Sequence, residues 1–227
     1  MIRFSDILLS SIALVFLFPF LLPIVVILRL TGEGEIFYKQ KRVGRNNKDF
    51  DLYKFATMLK DSPELGSGYV TIKNDPRILP FGKFLRETKI NELPQIINVL
   101  KGDMSLIGPR PLVRKAYENY PENLRPTIEL IKPGLSGLAS LILRNEEGIL
   151  ASTKDPTEYH SKILTPFKAS LEIWFYNQKS FTNYFTLIIL TLWLVFFKDS
   201  NILNHFFSSR PNNPESLDEI LRDINEK

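Results

Sequence analysis

From Ile7 to Leu28 the chain reads ILLSSIALVFLFPFLLPIVVIL, a run without a single charge, and its reading decides what kind of fold is possible. As one straight helix the run would be roughly 33 Å long, enough to cross a hydrocarbon core of about 30 Å. A signal peptide is the first competitor. Against it, the run is long for the apolar region of such a peptide, and no A-x-A-like cleavage site follows. Pro19 and Pro23 each remove a backbone donor and crowd the carbonyl four residues earlier, so a bend is expected mid-run. Two arrangements follow: a kinked spanning helix, or a re-entrant hairpin that leaves by the face it entered. Arg3 lies on one flank, and Arg29, Lys39, Lys41, Arg42, Arg45 and Lys48 crowd the other. Positive residues on both flanks fit a segment whose two ends are cytoplasmic.

Beyond this run the chain turns water-soluble. Its 227 residues are 44% hydrophobic and 24% charged, enough for one packed domain with length to spare. A formal net charge of +4 suits an anionic partner, but lipid, phosphate and nucleic acid remain open on charge alone. There is no cysteine, which excludes disulfides, thiolate nucleophiles and cysteine zinc sites. His160 and His205 are the only histidines, so an acid, base or metal ligand is more readily a carboxylate. Neither a Walker loop nor a dinucleotide-binding glycine fingerprint is present.

The soluble domain starts near Thr31. EIFYKQKRVGRNNKDFDLYKF, residues 35–55, reads as two strands around a polar turn at Arg45 to Lys48. Its basic residues form either a solvated face or, next to a membrane segment, a phosphate or lipid-headgroup surface. NELPQIINVLKG, residues 91–102, carries helix grammar. Asn91 is the expected N-cap, Pro94 falls in the first turn, Leu93, Ile96, Ile97 and Leu100 form the apolar stripe, and Gly102 ends the helix. SLIGPRP and IKPGLSG both read as turns, the first holding Arg110 between two prolines. Helical patterns run through Arg114 to Tyr120 and Glu158 to Asn177. A second apolar run, Phe181 to Phe197, is flanked by Lys179 and Lys198 and contains Asn183. It reads as a minimal span, an interfacial helix or a buried helix of the soluble domain, and its length with Tyr184 and Trp193 favours the interface. In the polar tail Ser216 and Glu219 read as a capping box ahead of a stripe of Leu217, Ile220, Leu221 and Ile224, expected to serve packing or partner contact.

RVGRNNKDFDLYKFATM, KINELPQIINVLKGDMSLIGPRPL and KPGLSG occur here in order, and in this the chain resembles the bacterial sugar transferase family. These are small monotopic phosphoglycosyl transferases that use polyprenol phosphate. The resemblance runs from Arg3 to about Lys198. It implies an N-terminal re-entrant helix broken near Pro19, a magnesium ion, and a nucleoside diphosphate sugar, usually a uridine one. It further implies a ping-pong reaction in which an aspartate of an Asp-Glu pair attacks the β-phosphorus and polyprenol phosphate resolves the adduct. Two positions depart from the pattern. The Asp-Glu pair reads Asn91-Glu92, and the basic residue of the Y-K-F-R-T-M motif is Ala56. LASLILRNEEG, residues 138–148, also replaces a tryptophan-containing stretch and introduces Arg144, Glu146 and Glu147.

The resulting expectation is an α+β monotopic membrane protein. Residues 1–30 form the re-entrant helix, 31–178 a cytoplasmic catalytic domain of short helices and a β-hairpin, 179–208 an interfacial or membrane-associated helix, and 209–227 a polar tail. The expected function is sugar-phosphate transfer to polyprenol phosphate at the cytoplasmic face of a bacterial inner membrane, in exopolysaccharide or lipopolysaccharide assembly. Catalytic positions are Glu92 and Asn91, with Glu92 also the metal ligand. Lys54, Arg86 and Arg110 are the phosphate-binding cations that clustered phosphates require, and Glu172 orients basic residues. Partners are the nucleotide sugar, polyprenol phosphate and membrane lipid, not nucleic acid, with a homodimer left open. The rival is a non-catalytic homologue that binds donor or lipid, or scaffolds an assembly complex, favoured by Asn91 and Ala56.

Overall fold

The uncharged run lies within one helix, α1 (Ile2–Leu30), which continues unbroken through Pro19 and Pro23. At 29 residues it is about 43 Å long. Only 6% of its most apolar window is buried, and Val15, Phe16 and Phe20 each stand more than 70% exposed. The buried residues of α1 are Ser5, Asp6, Ser10 and Leu28, three of them polar. A core helix of a water-soluble protein would show the reverse pattern, because apolar area left in water costs about 25 cal/mol per Å².

The computed structural model describes residues 1–62, 75–197 and 201–225, so the expected flank at Lys198 lies outside the described residues. The chain divides into two compact units. The smaller holds Phe4–Lys41 and Asp51–Gly102; the larger holds Met1–Arg3, Arg42–Phe50 and Asp103–Lys227.

Strands β1 (Phe37–Val43) and β2 (Asp49–Phe55) form the expected hairpin. Its turn is a short 3₁₀ segment, Arg45–Asn47, in which Asn46 and Asn47 both take φ of 58°. Asparagine tolerates that left-handed conformation better than most residues. In the smaller unit Leu28 of α1, Phe55 of β2 and Leu85 of α2 (Pro80–Glu87) share one apolar core. Gly82 lets α2 press on the backbone of Thr57, where an added Cβ would stand 2.2 Å from the carbonyl oxygen. Arg77 forks onto Asp75 through Nε at 2.8 Å and Nη2 at 2.6 Å, and donates to Ser62 O at 2.6 Å.

The larger unit is built on α9 (Thr165–Asn177) and α10 (Phe181–Phe196). Tyr184, Leu187, Leu190 and Leu194 bury one face of α10 with Ile107, Leu138 and Phe175, whereas Ile189, Leu192, Trp193 and Val195 remain exposed. The polar tail folds as α12 (Glu215–Asn225), whose Leu217 is fully buried among residues of α6 (Leu138–Ile142), α7 (Glu146–Ala151) and α9. The stripe expected for packing does pack. Its capping box does not form: Ser216 lies inside α12 and its Oγ meets Tyr159 Oη at 3.3 Å.

Two expected turns are strands instead. Ser105–Ile107 is β3 and Gly134–Ser136 is β4, paired in parallel with Ser105 opposite Gly134 and Ile107 opposite Ser136. The ladder continues past both strands, with Gly108 N donating to Ser136 O at 2.8 Å and Gly134 N to Pro109 O at 2.9 Å. Three glycines allow this approach. A Cβ on Gly134 would stand 2.1 Å from Gly108 N, and one on Gly137 would stand 2.3 Å from Gly108 O.

Candidate functional site

In the smaller unit, Lys54 and Glu92 come together. Lys54 Nζ lies 3.4 Å from Glu92 Oε1, with the side chains 17% and 24% exposed, so the pair is shielded but reachable. β2 supplies Lys54. Glu92 comes from a 3₁₀ turn, Ile90–Glu92, entered through Lys89 in the left-handed conformation at φ 59°. Arg86, in the last turn of α2, donates from Nη1 to Thr57 Oγ1 at 3.4 Å. With Asn91, four of the expected residues therefore belong to one unit, and Lys54 and Glu92 touch.

Asn91 is not the N-cap expected of it. Helix α3 (Gln95–Lys101) has Pro94 before it, and no side chain caps its start. The left-handed step at Lys89 starts the 3₁₀ turn early and turns Asn91 inward, where it is 93% buried by its 7% exposure. Asn91 Oδ1 has no hydrogen-bond partner among the described residues. The buried face of α3 differs too, being Gln95, Ile96, Asn98 and Val99, with Ile97 and Leu100 only half-buried. Gly102 does end the helix, at φ 94°.

No cluster of three or more acidic or histidine side chains able to hold a metal occurs among the described residues. Magnesium does not need one, since it commonly takes one or two protein ligands and completes its shell with water and substrate phosphate. Glu92 brings a carboxylate and Asn91 an orphaned carbonyl, oxygen donors of the type such an ion takes.

In the larger unit Arg110 is exposed, and the backbone on each side of it is fixed. Pro109 O accepts from Gly134 N, Pro111 O accepts from Arg42 Nη1 at 3.0 Å, and Leu112 O accepts from Val43 N at 2.9 Å. The guanidinium thus projects from a braced strand end rather than from a loose turn. Behind it, Pro109, Tyr117 and Glu129 help line a cavity of about 20 Å³, room for about one water molecule.

Glu172 meets a backbone group rather than a basic one. Its Oε1 accepts the N–H of Ala139 at 2.9 Å, and the side chain is 3% exposed. Burial, only partly offset by that bond, raises its carboxyl to about 7. Arg144 donates to Leu194 O. Glu146 binds Lys168 at 2.6 Å and His160 at 3.3 Å, and with these partners its carboxyl falls to about 2 despite burial. Of the charges introduced by LASLILRNEEG, Arg144 and Glu146 are thus engaged within the larger unit, while Glu147 is exposed. Asp6, buried inside an apolar helix, is a polar position that the sequence reading passed over; its charge immediately before the uncharged run was the available signal.

Residues 1–198 match the family described as bacterial sugar transferase. The chain belongs to that family. Among relatives of this sugar transferase is the UDP-N-acetylgalactosamine-undecaprenyl-phosphate N-acetylgalactosaminephosphotransferase of Aeromonas hydrophila, 38% identical over 142 residues, covering 62% of this chain and 33% of the relative. The exopolysaccharide production protein PSS of Rhizobium leguminosarum bv. phaseoli is 37% identical over 166 residues, covering 71% and 80%. The undecaprenyl-phosphate galactose phosphotransferase of Salmonella typhimurium is 40% identical over 127 residues, covering 50% and 26%. The matched part is thus about a third of the first relative's length and most of the second's. In this bacterial sugar transferase Asn91 and Ala56, the two positions at which the sequence was expected to depart from the family motif, are both buried.

Proposed function

We propose that this sugar transferase moves a sugar 1-phosphate from a nucleoside diphosphate sugar, with uridine the expected base, onto a polyprenol phosphate. The bond between the β-phosphorus and the bridging oxygen breaks, and the nucleoside monophosphate departs with that oxygen. An oxygen of the lipid phosphate forms the new bond to phosphorus, leaving a polyprenyl diphosphate sugar. The observation that carries this reading is the Lys54–Glu92 pair, set beside the buried, orphaned Asn91 within the family's longest motif.

Lys54 and Arg86 neutralise donor phosphate charge, which an incoming anion cannot otherwise approach. Arg110 is assigned the same work, its braced backbone fixing a planar fork suited to phosphate oxygens. Glu92 supplies the negative charge that the family aspartate would provide, because an amide at Asn91 cannot attack phosphorus. Magnesium, held by Glu92 and Asn91 Oδ1, would offset charge on the pyrophosphate and the departing nucleotide. Glu172 orders the backbone at Ala139.

The exposed apolar surface of α1 supports a membrane location. Arg3 and Arg29 at its two ends support a helix bent at Pro19 and Pro23, with both ends at the cytoplasmic face. The exposed face of α10 is assigned to the interface.

Full-length protein in liposomes containing polyprenol phosphate, supplied with radiolabelled uridine diphosphate sugars and magnesium, should yield lipid-extractable label and free UMP. A phosphosugar adduct on Glu92, trapped with donor alone, would show a two-step route; product without adduct would show direct attack by the lipid. An inactive wild type that gains activity on Asn91→Asp would overturn catalysis by the native chain and favour the non-catalytic homologue.

A further inference from the structure

Within the smaller unit, the hairpin segments Phe37–Lys41 and Asp51–Phe55 carry on one face an ordered series of cross-strand pairs. Phe37 stacks on Phe55 with ring centroids 5.7 Å apart, Lys39 Nζ stands 5.7 Å from the centre of the Tyr53 ring, and Lys41 bonds Asp51 at 2.9 Å. Residues two apart on a strand share a face, so these pairs form one strip with a step of about 7 Å. Its first pair adjoins the end of α1. Phe55 is buried with Leu28, while Phe37 remains 44% exposed.

The second pair is reinforced from α3 (Gln95–Lys101). Lys101 Nζ stands 5.1 Å from the centre of the Tyr53 ring and donates to its hydroxyl at 3.4 Å. Asn98, fully buried, fixes that geometry. Its Oδ1 accepts Tyr53 N–H at 3.0 Å, and its Nδ2 donates to Asp51 O at 2.7 Å. Two ammonium groups are thus held at one aromatic ring, and across the strip three lysines face a single carboxylate. The hydrogen bond from Lys41, with further help from Lys39 and Lys101, holds the Asp51 carboxyl below its ordinary range.

A lysine-bearing strand is most often a solvated face. The order along this strip argues for more. Starting from the end of α1, it runs apolar, then aromatic with cations, then ionic, which is the sequence of environments from acyl chains through the interface to the headgroups. The scale agrees, because the polar layer of one leaflet is about 5–8 Å thick and the second pair lies one step out. Adjacent strand residues point to opposite faces, so Lys54 is on the other side of β2 from Tyr53, and the strip is separate from the Lys54–Glu92 pair.

We propose that this strip is a docking surface for anionic phospholipid headgroups, with a lipid phosphodiester received between Lys39 and Lys101 at the Tyr53 ring. The inference rests on α1 being the membrane segment. Contact of this kind would fix the rotation of the smaller unit about α1, which the exposed helix alone leaves undetermined.

The test uses the full chain purified in neutral detergent and titrated with short-chain, soluble phosphatidylglycerol, phosphatidylcholine or inorganic phosphate. Phosphatidylglycerol should bind tighter than either alternative. Each lysine near a headgroup contributes about fivefold, so K39Q/K101Q should weaken phosphatidylglycerol binding roughly 25-fold while leaving phosphatidylcholine unchanged. K39R/K101R should retain binding, and circular dichroism of both variants should match wild type. Unchanged phosphatidylglycerol affinity in K39Q/K101Q, or inorganic phosphate binding as tightly as the lipid, would overturn the proposal. Flotation of the same protein with liposomes separates the two levels. Retained flotation with lost selectivity leaves α1 in the membrane and removes the strip, whereas failure to float removes both.

Discussion

Glu172→Gln tests whether a buried carboxyl makes this fold sensitive to pH. Glu172 is 3% exposed, and its Oε1 accepts the Ala139 N–H. Desolvation penalises its charged form, and the single backbone bond only partly compensates, so the carboxyl rises from 4.5 to about 7. The folded state therefore binds more protons than the unfolded state between those two values. It follows that stability falls as pH rises through this window, and the loss is complete above about pH 7. At 1.36 kcal/mol per tenfold, the gap is worth about 3 kcal/mol. Glutamine keeps a carbonyl for Ala139 and never ionises. The Glu146 carboxyl is depressed to about 2, below this window, and every titrating group other than Glu172 is common to both proteins, so their difference isolates Glu172. Thermal unfolding in detergent at pH 5 should find wild type and Glu172→Gln close together. At pH 8 the variant should melt higher by about 6–12 °C, taking 2–4 °C per kcal/mol for a chain of this size. Parallel melting of the two proteins across pH 5 to 8 would refute the reasoning, because Glu172 would then be ionised or solvated in the fold.

Gly134→Ala should destabilise the protein by at least about 3 kcal/mol, read as a lower melting temperature, since its Cβ would meet Gly108 backbone atoms at 2.1–2.6 Å. Arg110→Ala should leave the melting temperature unchanged, because the side chain is exposed, yet abolish product in the lipid-transfer assay; Arg110→Lys should also be poor. Glu92→Gln should eliminate transfer, and full activity in that variant would remove Glu92 from the chemistry. Cysteines replacing Arg3 and Thr31 in this cysteine-free chain should both resist an impermeant thiol reagent in intact cells, whereas labelling at one end only would mean a helix that crosses the membrane.

Features written in local grammar were legible in the sequence. The apolar run, the hairpin with its Asn-Asn turn and the glycine stop at Gly102 need no distant partner to be recognised. β3 and β4 were not legible, because three-residue strands set among prolines and glycines look like turns, and their pairing joins residues about thirty positions apart. The available signal was the trio Gly108, Gly134 and Gly137, small residues where two backbones must meet. The apolar run of α10 concealed a division of faces. A helix apolar all round gives no indication of which side is core and which is exposed, and only the contacts of Tyr184, Leu187, Leu190 and Leu194 separate them. Ser216 misled for a related reason, since its capping pattern lies one residue inside a helix that begins at Glu215.

Asn91 shows most clearly what structure adds to the motif. From sequence its amide looked like an ordinary helix cap, a role asparagine fills about as well as aspartate. Such a role would make the difference from the family pair innocuous. The structure withdraws that account, because α3 starts four residues later and Asn91 caps nothing. Its carbonyl is buried with no partner among the described residues, an arrangement that typically costs 1–3 kcal/mol. Packing alone gives no return for that cost, whereas a bound ion or water would, which is the ground for proposing Asn91 as a ligand position. The Lys54 ammonium beside the neighbouring Glu92 points to the same kind of ligand, one that brings its own negative charge. An aspartate at position 91 would add a second carboxylate beside Glu92. Asn91→Asp should therefore bind metal more tightly than wild type even without donor, while Asn91→Ala should lose metal affinity yet fold at least as stably. Calorimetric titration with magnesium separates these outcomes, and an Asn91→Ala protein that binds magnesium as wild type does would return the amide to packing.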